Sequence, residues 1–168
     1  MRSDFVDSDV IGHILYALTP ENKLVCKVAL ETGLRIGDIL SFRTSDLHKQ
    51  SFTITEQKTG KKKRVRLRKA LIAELLKISG ENYVFEHRLN PQKHRTRQAV
   101  YADIKRASKL FRVKENISPH SLRKVYAVDL YKKTDDLKKV CEALSHDNEL
   151  TTMIYALADI ISKKQKKG

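Results

Sequence analysis

Tyr155 is the residue of this chain whose position most suggests chemistry. Its surroundings are apolar at helix-period spacing, at Leu150, Met153, Ile154, Leu157, Ile160 and Ile161. At about 100° per residue, Tyr155 points about 155° away from the centre of that apolar face, so its phenol faces outward. The chain carries 34 Lys and Arg against 20 Asp and Glu, which gives the hydroxyl a cationic setting. It is either a nucleophile toward a phosphate or a solvated surface tyrosine.

His120 and Arg123 lie three residues apart at the start of a predicted helix, directly after a Ser-Pro pair that is typical of a helix start. Side chains three apart share one helix face, so both can converge on one ligand. A helix N-terminus also offers free N–H groups to a phosphate. The alternative is a solvated His and Arg on a surface helix. His146, which precedes Tyr155 by nine residues, is either a buried hydrogen-bonding residue or a further phosphate ligand.

Arg35 lies within the sequence Thr-Gly-Leu-Arg-Ile-Gly-Asp of residues 32–38. One predicted helix ends at the first of these glycines and the next begins near residue 36, so Arg35 occupies a tight turn. A guanidinium there can hold a phosphate or a carboxylate through two hydrogen bonds. Asp38, three residues later, could orient it. The alternative is a solvated loop arginine followed by an ordinary helix-starting aspartate.

Lys58 opens the turn of a predicted β-hairpin. Residues 51–55 and 65–67 alternate between apolar and polar side chains, which predicts two strands joined by that turn. The tip and the outgoing strand are basic, at Lys61, Lys62, Lys63, Arg64 and Arg66. Such a hairpin suits a DNA groove, where cations bind phosphates and fix the position of the protein. A lysine at a loop tip is otherwise usually only solvated.

The charge balance is the strongest clue to the partner. A net charge of +14 and a pI near 9.8 favour a polyanion, with nucleic acid as the first candidate. The alternative is that the charge only keeps the protein in solution. No apolar run approaches the ~20 residues that span a bilayer, and the N-terminus lacks the apolar core of a secretory signal. We therefore expect a soluble, cytoplasmic, DNA-associated protein without a membrane partner.

A chain of 168 residues that is 40% hydrophobic predicts one folded domain. Cys26 and Cys141 both lie in apolar helical patterns and are expected as buried free thiols, with a disulfide as the alternative. The sequence has no Cys/His cluster at zinc spacing, no evident carboxylate pair for two magnesium ions, and no P-loop, GxGxxG or GxSxG motif. We expect neither a metal nor a cofactor.

Most of the elements that must position these residues are predicted helices. Helices are expected over residues 20–32, 36–42, 70–78, 96–110, 118–133, 137–144 and 150–161, strands over 51–55, 65–67 and 83–85, and a loop over 86–97. No internal repeat or linker divides the chain. The predicted fold class is α+β, a mostly helical single domain with a small antiparallel β-sheet.

The order of these motifs carries a resemblance that no single motif carries. An Arg in TGLRIGD, a hairpin Lys in QKTGKK, then HSLR, LSH and a Tyr nine residues later resemble the catalytic domain of the tyrosine recombinases, the phage integrase family. The resemblance covers about residues 19–161. It implies the tyrosine recombinase catalytic-domain fold over residues 1–161 and a basic C-terminal tail at 162–168. It also implies that the N-terminal core-binding domain of longer members is absent.

The resemblance implies a role for each matching residue. Tyr155 would attack a DNA phosphodiester, forming a 3′-phosphotyrosyl link and releasing a 5′-hydroxyl. Arg35 and Arg123 would bind the non-bridging oxygens of the phosphate. Lys58 would protonate the leaving 5′-oxygen, and His120 would exchange a proton with the nucleophile.

Two further residues receive supporting roles from the resemblance: His146 as a phosphate contact and Asp38 as a brace for the first arginine. The implied activity is metal-independent, site-specific recombination of double-stranded DNA. The implied assembly is a tetramer on DNA, with a monomer as the free form. Two alternatives stay open: a type IB topoisomerase, which shares this catalytic logic, and a non-catalytic basic DNA-binding protein that retains the fold.

Overall fold

The computed structural model describes residue 6, residues 8–145 and residue 148. The predicted helix of residues 150–161 and the basic tail at 162–168 lie outside the described residues. Two predicted site residues, His146 and Tyr155, lie outside them as well.

The described part of the chain is mostly helical, with two small antiparallel sheets. Its elements are α1 (Ser8–Ala17), α2 (Pro20–Thr32), α3 (Ile36–Leu40), a short 3-10 helix (Thr44–His48), β1 (Ser51–Thr55), β2 (Lys62–Arg66), α4 (Lys69–Ile78), β3 (Glu86–His87), β4 (Asn90–His94), α5 (Arg97–Leu110), α6 (Pro119–Thr134) and α7 (Leu137–Ala143). The predicted α+β fold class is confirmed. Helix α1 is an addition to the predicted elements.

Local sequence accounts for where the helices that carry the site begin and end. Pro20 is the first residue of α2, where its missing N–H costs no helical hydrogen bond. The helix ends at Gly33, whose φ of 66° lies in the left-handed region. Ser118 caps α6 by accepting a hydrogen bond from the backbone N–H of His120 at 3.2 Å. Both ends match their predicted positions.

The first sheet is the predicted hairpin. Strand β1 pairs antiparallel with β2 in a register that sets Phe52 opposite Val65 and Thr55 opposite Lys62. Residues 56–61 connect the strands and are called the Lys58 turn below. Phe52 and Val65 are both buried, so one face of this ribbon packs on the core and the other is polar.

Two predictions in the region of residues 83–97 were wrong. Residues 86–97 were expected as a loop, yet β3 and β4 form a second antiparallel hairpin. The Asn90-Pro91 pair suggested a break, but Pro91 is tolerated because a two-stranded ribbon has a free edge on each side. The expected strand at 83–85 is reduced to a single bridge between Tyr83 and Arg43.

The core gathers apolar side chains from α1 to α6 and both strands of the first hairpin, with Leu34, Ile39 and Phe42 among its fully buried members. A smaller apolar cluster joins α6 to α7 around Ala127, Val140 and Leu144. Cys26 and Cys141 are buried free thiols, as expected. Among the described helices, none has the length and apolar character needed to cross a membrane.

Candidate active site

A cleft of about 440 Å³ brings three of the predicted site residues together. It is lined by Arg35, Ile36, Gly37, Arg97, Gln98, Tyr101, Asn116, Ser118, Pro119, His120 and Arg123. We call it the arginine cleft, after Arg35 and Arg123. These two residues are far apart in sequence, and the packing of both α6 and α3 against α2 brings them to one concave surface. A phosphate in this cleft would meet guanidinium groups from two elements.

Arg35 reaches the cleft from the turn between α2 and α3. Its backbone is extended, with φ −71° and ψ 145°, and it directly precedes α3. The turn depends on Gly33, since a Cβ there would lie 2.4 Å from the ring of Tyr126 as well as requiring a left-handed backbone. The Arg35 side chain is 15% exposed, which leaves it accessible from the cleft.

Arg123 is held more tightly, from the first turn of α6. It is only 2% exposed. Its Nη1 donates to the carbonyl oxygen of Gly33 at 2.5 Å and its Nη2 to that of Leu144 at 3.5 Å. One guanidinium therefore joins the turn that carries Arg35 to the end of α7. His120 lies exposed on the same helical turn, at the mouth of the cleft.

Lys58 does not line the arginine cleft. It lies in the middle of the Lys58 turn and is exposed. Asp38, which is 1% exposed, anchors the start of that turn because its Oδ1 accepts a hydrogen bond from the backbone N–H of Gln57 at 2.8 Å. The predicted roles of Lys58 as general acid and of Asp38 as a brace for Arg35 stay predictions.

Lys63 differs in its surroundings from the other four predicted DNA-contacting cations of the hairpin. Lys61, Lys62, Arg64 and Arg66 are exposed on the hairpin, whereas Lys63 is partly buried and its Nζ donates to the carbonyl oxygen of Ala143. The physical reason is strand alternation: Lys63 shares the face of Val65, which is buried against the core.

The charges that act on the Lys63 ammonium are those of site residues. Burial lowers the pKa of its ammonium below the ordinary value of 10.5, the charges of Arg123 and Arg35 act in the same direction, and Glu56 opposes them. Lys63 therefore lies within electrostatic reach of both cleft arginines. Its cation adds to their field instead of facing bulk solvent.

Glu56 is a site residue that the sequence analysis missed. It is 1% exposed and its Oε2 lies 3.8 Å from Arg35 Nη1. The hydroxyls of Thr59 and Ser145 each donate to its carboxylate at 2.6 Å. Burial acts to raise the pKa of the Glu56 carboxyl, but those two hydrogen bonds and the charges of Lys63 and Arg35 hold it below the ordinary value of 4.5. Glu56 is thus a buried anion among the site cations.

The model of the phage integrase family matches residues 4–160. This chain belongs to that family. A "Tyrosine recombinase" of Thermosipho africanus (strain TCF52B) is 33% identical over 162 residues, which cover 90% of this chain and 56% of the relative. This integrase-family chain spans about half the length of the curated relatives it matches.

Solved structures share the fold of this integrase-family chain. The XerH site-specific recombinase, bound to a palindromic difH substrate in a post-cleavage complex, superposes with a TM-score of 0.73 at 22% identity, over 98% of this chain and 52% of that one. A lambda integrase tetramer bound to a Holliday junction gives a TM-score of 0.73 at 22% identity, over 88% of this chain and 48% of that one. At this identity the likeness establishes the fold.

Four cleft residues of this integrase-family chain were also missed: Arg97, Gln98 and Tyr101 on α5, and Asn116 before α6. A partial signal existed on α5. Thr96 caps the helix by accepting from the backbone N–H of Ala99 at 3.2 Å, so the basic and polar residues after it fall in the first helical turn. Sequence alone did not indicate that this turn meets α6.

The Glu56 carboxylate gives a pH-dependent prediction. Because its pKa is lowered on folding, it contributes stability that is present above the unfolded value of about 4.5 and is lost as pH falls through the folded pKa. Glu56→Gln should therefore be less stable than the wild type at neutral pH, and the difference should shrink as the pH falls below about 4.5. Urea unfolding followed by circular dichroism at a series of pH values measures this.

The matched control for that measurement is Glu74→Gln. Glu74 also forms an ion pair, with Lys27 at 2.7 Å, but its side chain is 44% exposed, and exposed pairs contribute little. Its unfolding curve should follow that of the wild type across the pH series. A constant difference between Glu56→Gln and the wild type at every pH would contradict the prediction.

Proposed function

We propose that this protein breaks and rejoins double-stranded DNA at specific sites through a covalent link to Tyr155, without a metal ion. The observation that carries the proposal is the meeting of Arg35 and Arg123 in one cleft with His120 at its mouth, in a chain of the phage integrase family. Phosphoryl transfer depends chiefly on positioning and on stabilising charge in the transition state. Two fixed guanidiniums supply both.

In the proposed reaction, Tyr155 Oη attacks the phosphorus and the bond from phosphorus to the 5′-oxygen breaks. The products are a 3′-phosphotyrosyl ester and a free 5′-hydroxyl. His120 accepts the tyrosine proton, and Lys58 gives a proton to the leaving 5′-oxygen. The ester keeps the energy of the broken bond, so attack by a 5′-hydroxyl reverses the step without ATP.

In the same proposal, Arg35 and Arg123 bind the non-bridging oxygens, with His146 as a further phosphate contact and Asp38 as a brace for Arg35. A tyrosine with an ordinary pKa of about 10 is mostly protonated at neutral pH. Neighbouring cations ease its ionisation, and the arginine cleft provides two such cations.

The proposed DNA partner is supported by the net charge of +14 and by the exposed hairpin cations Lys61, Lys62, Arg64 and Arg66. The lambda integrase that shares this fold was solved as a tetramer on a Holliday junction. We propose the same number of subunits for this protein on DNA, a tetramer, and a monomer when it is free. The substrate would place the protein wherever the cell keeps its DNA, which for a prokaryotic chain is the cytoplasm.

The test of the function is a covalent trap. The protein is incubated in EDTA with a library of nicked duplexes of random sequence, and strands that stay attached in SDS are recovered and sequenced. A recombinase should enrich one sequence as a covalent adduct. Failure to form any adduct would favour the non-catalytic DNA-binding alternative, and relaxation of arbitrary supercoiled plasmid would favour the topoisomerase.

DNA binding itself should be strongly salt-dependent. The logarithm of the binding constant should fall linearly with that of the salt concentration, by about 0.9 for each phosphate contact. Lys62→Ala removes an exposed hairpin cation and should reduce that slope by about 1. Fluorescence anisotropy on a labelled duplex at four salt concentrations gives the slopes.

The matched variant is Lys77→Ala, which removes an exposed lysine from the last turn of α4 and should leave the slope unchanged. Equal slopes for the wild type and Lys62→Ala would remove the hairpin from the proposed DNA interface.

A further inference from the structure

Glu56 is buried at a point where three parts of the site meet. It directly follows β1, on the same face of the strand as Phe52. A buried carboxylate is costly unless it is paired and hydrogen-bonded. Its partners come from three segments: Thr59 in the Lys58 turn at 2.6 Å, Ser145 after α7 at 2.6 Å, and Arg35 before α3 at 3.8 Å.

The first partner fixes the Lys58 turn. Besides the bond from the Thr59 hydroxyl to the carboxylate, the backbone of Glu56 closes the turn on both sides. Its N–H donates to the carbonyl oxygen of Lys61 at 2.9 Å, and its carbonyl oxygen accepts from the N–H of Gly60 at 2.9 Å. Thr59 is the neighbour of Lys58, so the carboxylate sets where that turn lies relative to Arg35.

The second partner fixes the end of α7. Ser145 has φ 57°, an uncommon left-handed conformation for a residue other than glycine. A second contact links the hairpin to this segment, because Lys63 Nζ donates to the carbonyl oxygen of Ala143, two residues before Ser145. In sequence, Ser145 directly precedes His146 and lies ten residues before Tyr155.

We infer that Glu56 is a positioning residue, which ties the Lys58 turn and the end of α7 to each other beside Arg35. The inference rests on the proposed function and adds a residue to it. Because a misplacement of about 1 Å in a reacting group can cost about 100-fold in rate, a single carboxylate that sets two segments has a large effect on catalysis without touching the substrate.

The test distinguishes the two contacts of Glu56, with Thr59 and with Ser145, by changing the leaving group of the DNA cleavage step. The scissile duplex found by the covalent trap is made with oxygen or with sulfur as the bridging 5′-atom. A thiol has a pKa of about 8.5, far below that of an alcohol, so the sulfur leaves without a general acid. Single-turnover rates of adduct formation are measured on both duplexes, with Lys58→Ala as the reference for a lost acid.

Thr59→Val removes two hydrogen bonds from the Lys58 turn: the one that its hydroxyl donates to Glu56, and the one that it accepts from the N–H of Lys61 at 3.3 Å. It should slow cleavage of the oxygen duplex by about 10-fold to 100-fold and recover most of that loss on the sulfur duplex. Thr59→Ser keeps the hydroxyl and should cleave like the wild type.

Ser145→Ala should slow both duplexes by a similar factor, since its segment leads toward the nucleophile. Ser79→Ala removes a comparable hydroxyl, which bonds the carbonyl oxygen of Leu75, and should change neither rate. Glu56→Gln should combine both losses. Where Glu56→Gln fails to fold, the Thr59 and Ser145 variants carry the test, since each leaves the buried Glu56 carboxylate and its other partners in place.

The inference is overturned if Thr59→Val and Ser145→Ala cleave both duplexes at wild-type rates. It is also overturned if Thr59→Val loses as much on sulfur as on oxygen, because its effect would then not pass through the general acid. A wild type that forms no adduct on either duplex would instead remove the proposed function itself. The two failures are therefore distinct.

Discussion

Tyr155→Phe is expected to abolish the covalent protein–DNA adduct while leaving DNA affinity unchanged. The substitution removes one hydroxyl, which the proposal makes the atom that attacks phosphorus. Loss of a catalytic nucleophile costs up to about 10⁶-fold, so the adduct should fall below detection on a nicked duplex carrying the trapped site. The measurement is retention of a labelled strand by the 19.3 kDa chain in a denaturing gel.

The matched control is Tyr16→Phe, since Tyr16 is 82% exposed on α1. It should form the adduct at the wild-type rate. Protease digestion and mass spectrometry of the wild-type adduct should identify Tyr155 as the linked residue, with the phosphate on a 3′-end. An adduct that persists in Tyr155→Phe, or that maps to another side chain, would refute the assigned nucleophile.

The helices that carry the site were predictable because their signals are local. The Thr-Pro start and glycine end of α2, and the Ser-Pro start of α6, depend on residues adjacent in sequence. The order of six polar residues along the sequence indicated the family: Arg35, Lys58, His120, Arg123, His146 and Tyr155. Their roles follow from that family resemblance and stay predictions.

In the first hairpin, the alternation of side chains that predicted the two strands extends beyond the predicted strand ends. The alternation of Phe52 and Ile54 continues to Glu56, and the alternation of Leu67 and Val65 continues backward to Lys63. Carried two residues further, the period of two assigns both charged side chains to the buried face. Charge type suggested a solvated surface, and strand geometry decided otherwise.

Other features could not be read from local sequence at all. The cleft joins α5 to α6, so the contribution of Tyr101 and Asn116 depends on how separate helices pack. The second hairpin, β3–β4, contains a proline and few apolar residues, and the residue shortly before it, Tyr83, bridges to Arg43 from a distant part of the chain. Such tertiary contacts override local propensity.

Arg123→Ala is expected to slow cleavage by about 10³-fold or more, because arginines that stabilise transition-state charge in phosphoryl transfer are worth about 10³- to 10⁵-fold. Arg123→Lys should also be slow, since an ammonium cannot bind two phosphate oxygens as a guanidinium does. Single-turnover adduct formation at saturating DNA measures the rate, and anisotropy measures the affinity. The affinity should change far less than the rate.

Structure also gives Arg123 a part in the fold, because it donates to the carbonyl oxygens of Gly33 and Leu144. The control must therefore lose an arginine that also donates to a backbone carbonyl oxygen. Arg106→Ala serves, since Arg106 Nη2 donates to the carbonyl oxygen of Ala17 at 2.5 Å and lies outside the set of residues lining the arginine cleft. Both variants should lose some thermal stability, and only Arg123→Ala should lose catalysis.

A chemical change in the DNA separates the two roles of Arg123. Replacing one non-bridging oxygen of the scissile phosphate with a methyl group removes the negative charge that the guanidinium would stabilise. On that duplex, Arg123→Ala should approach the wild-type rate, since there is less charge to offset. Equal losses on the charged and the methylated phosphate would mean that Arg123 acts through the positions of Gly33 and Leu144, and that the transition-state charge is stabilised elsewhere.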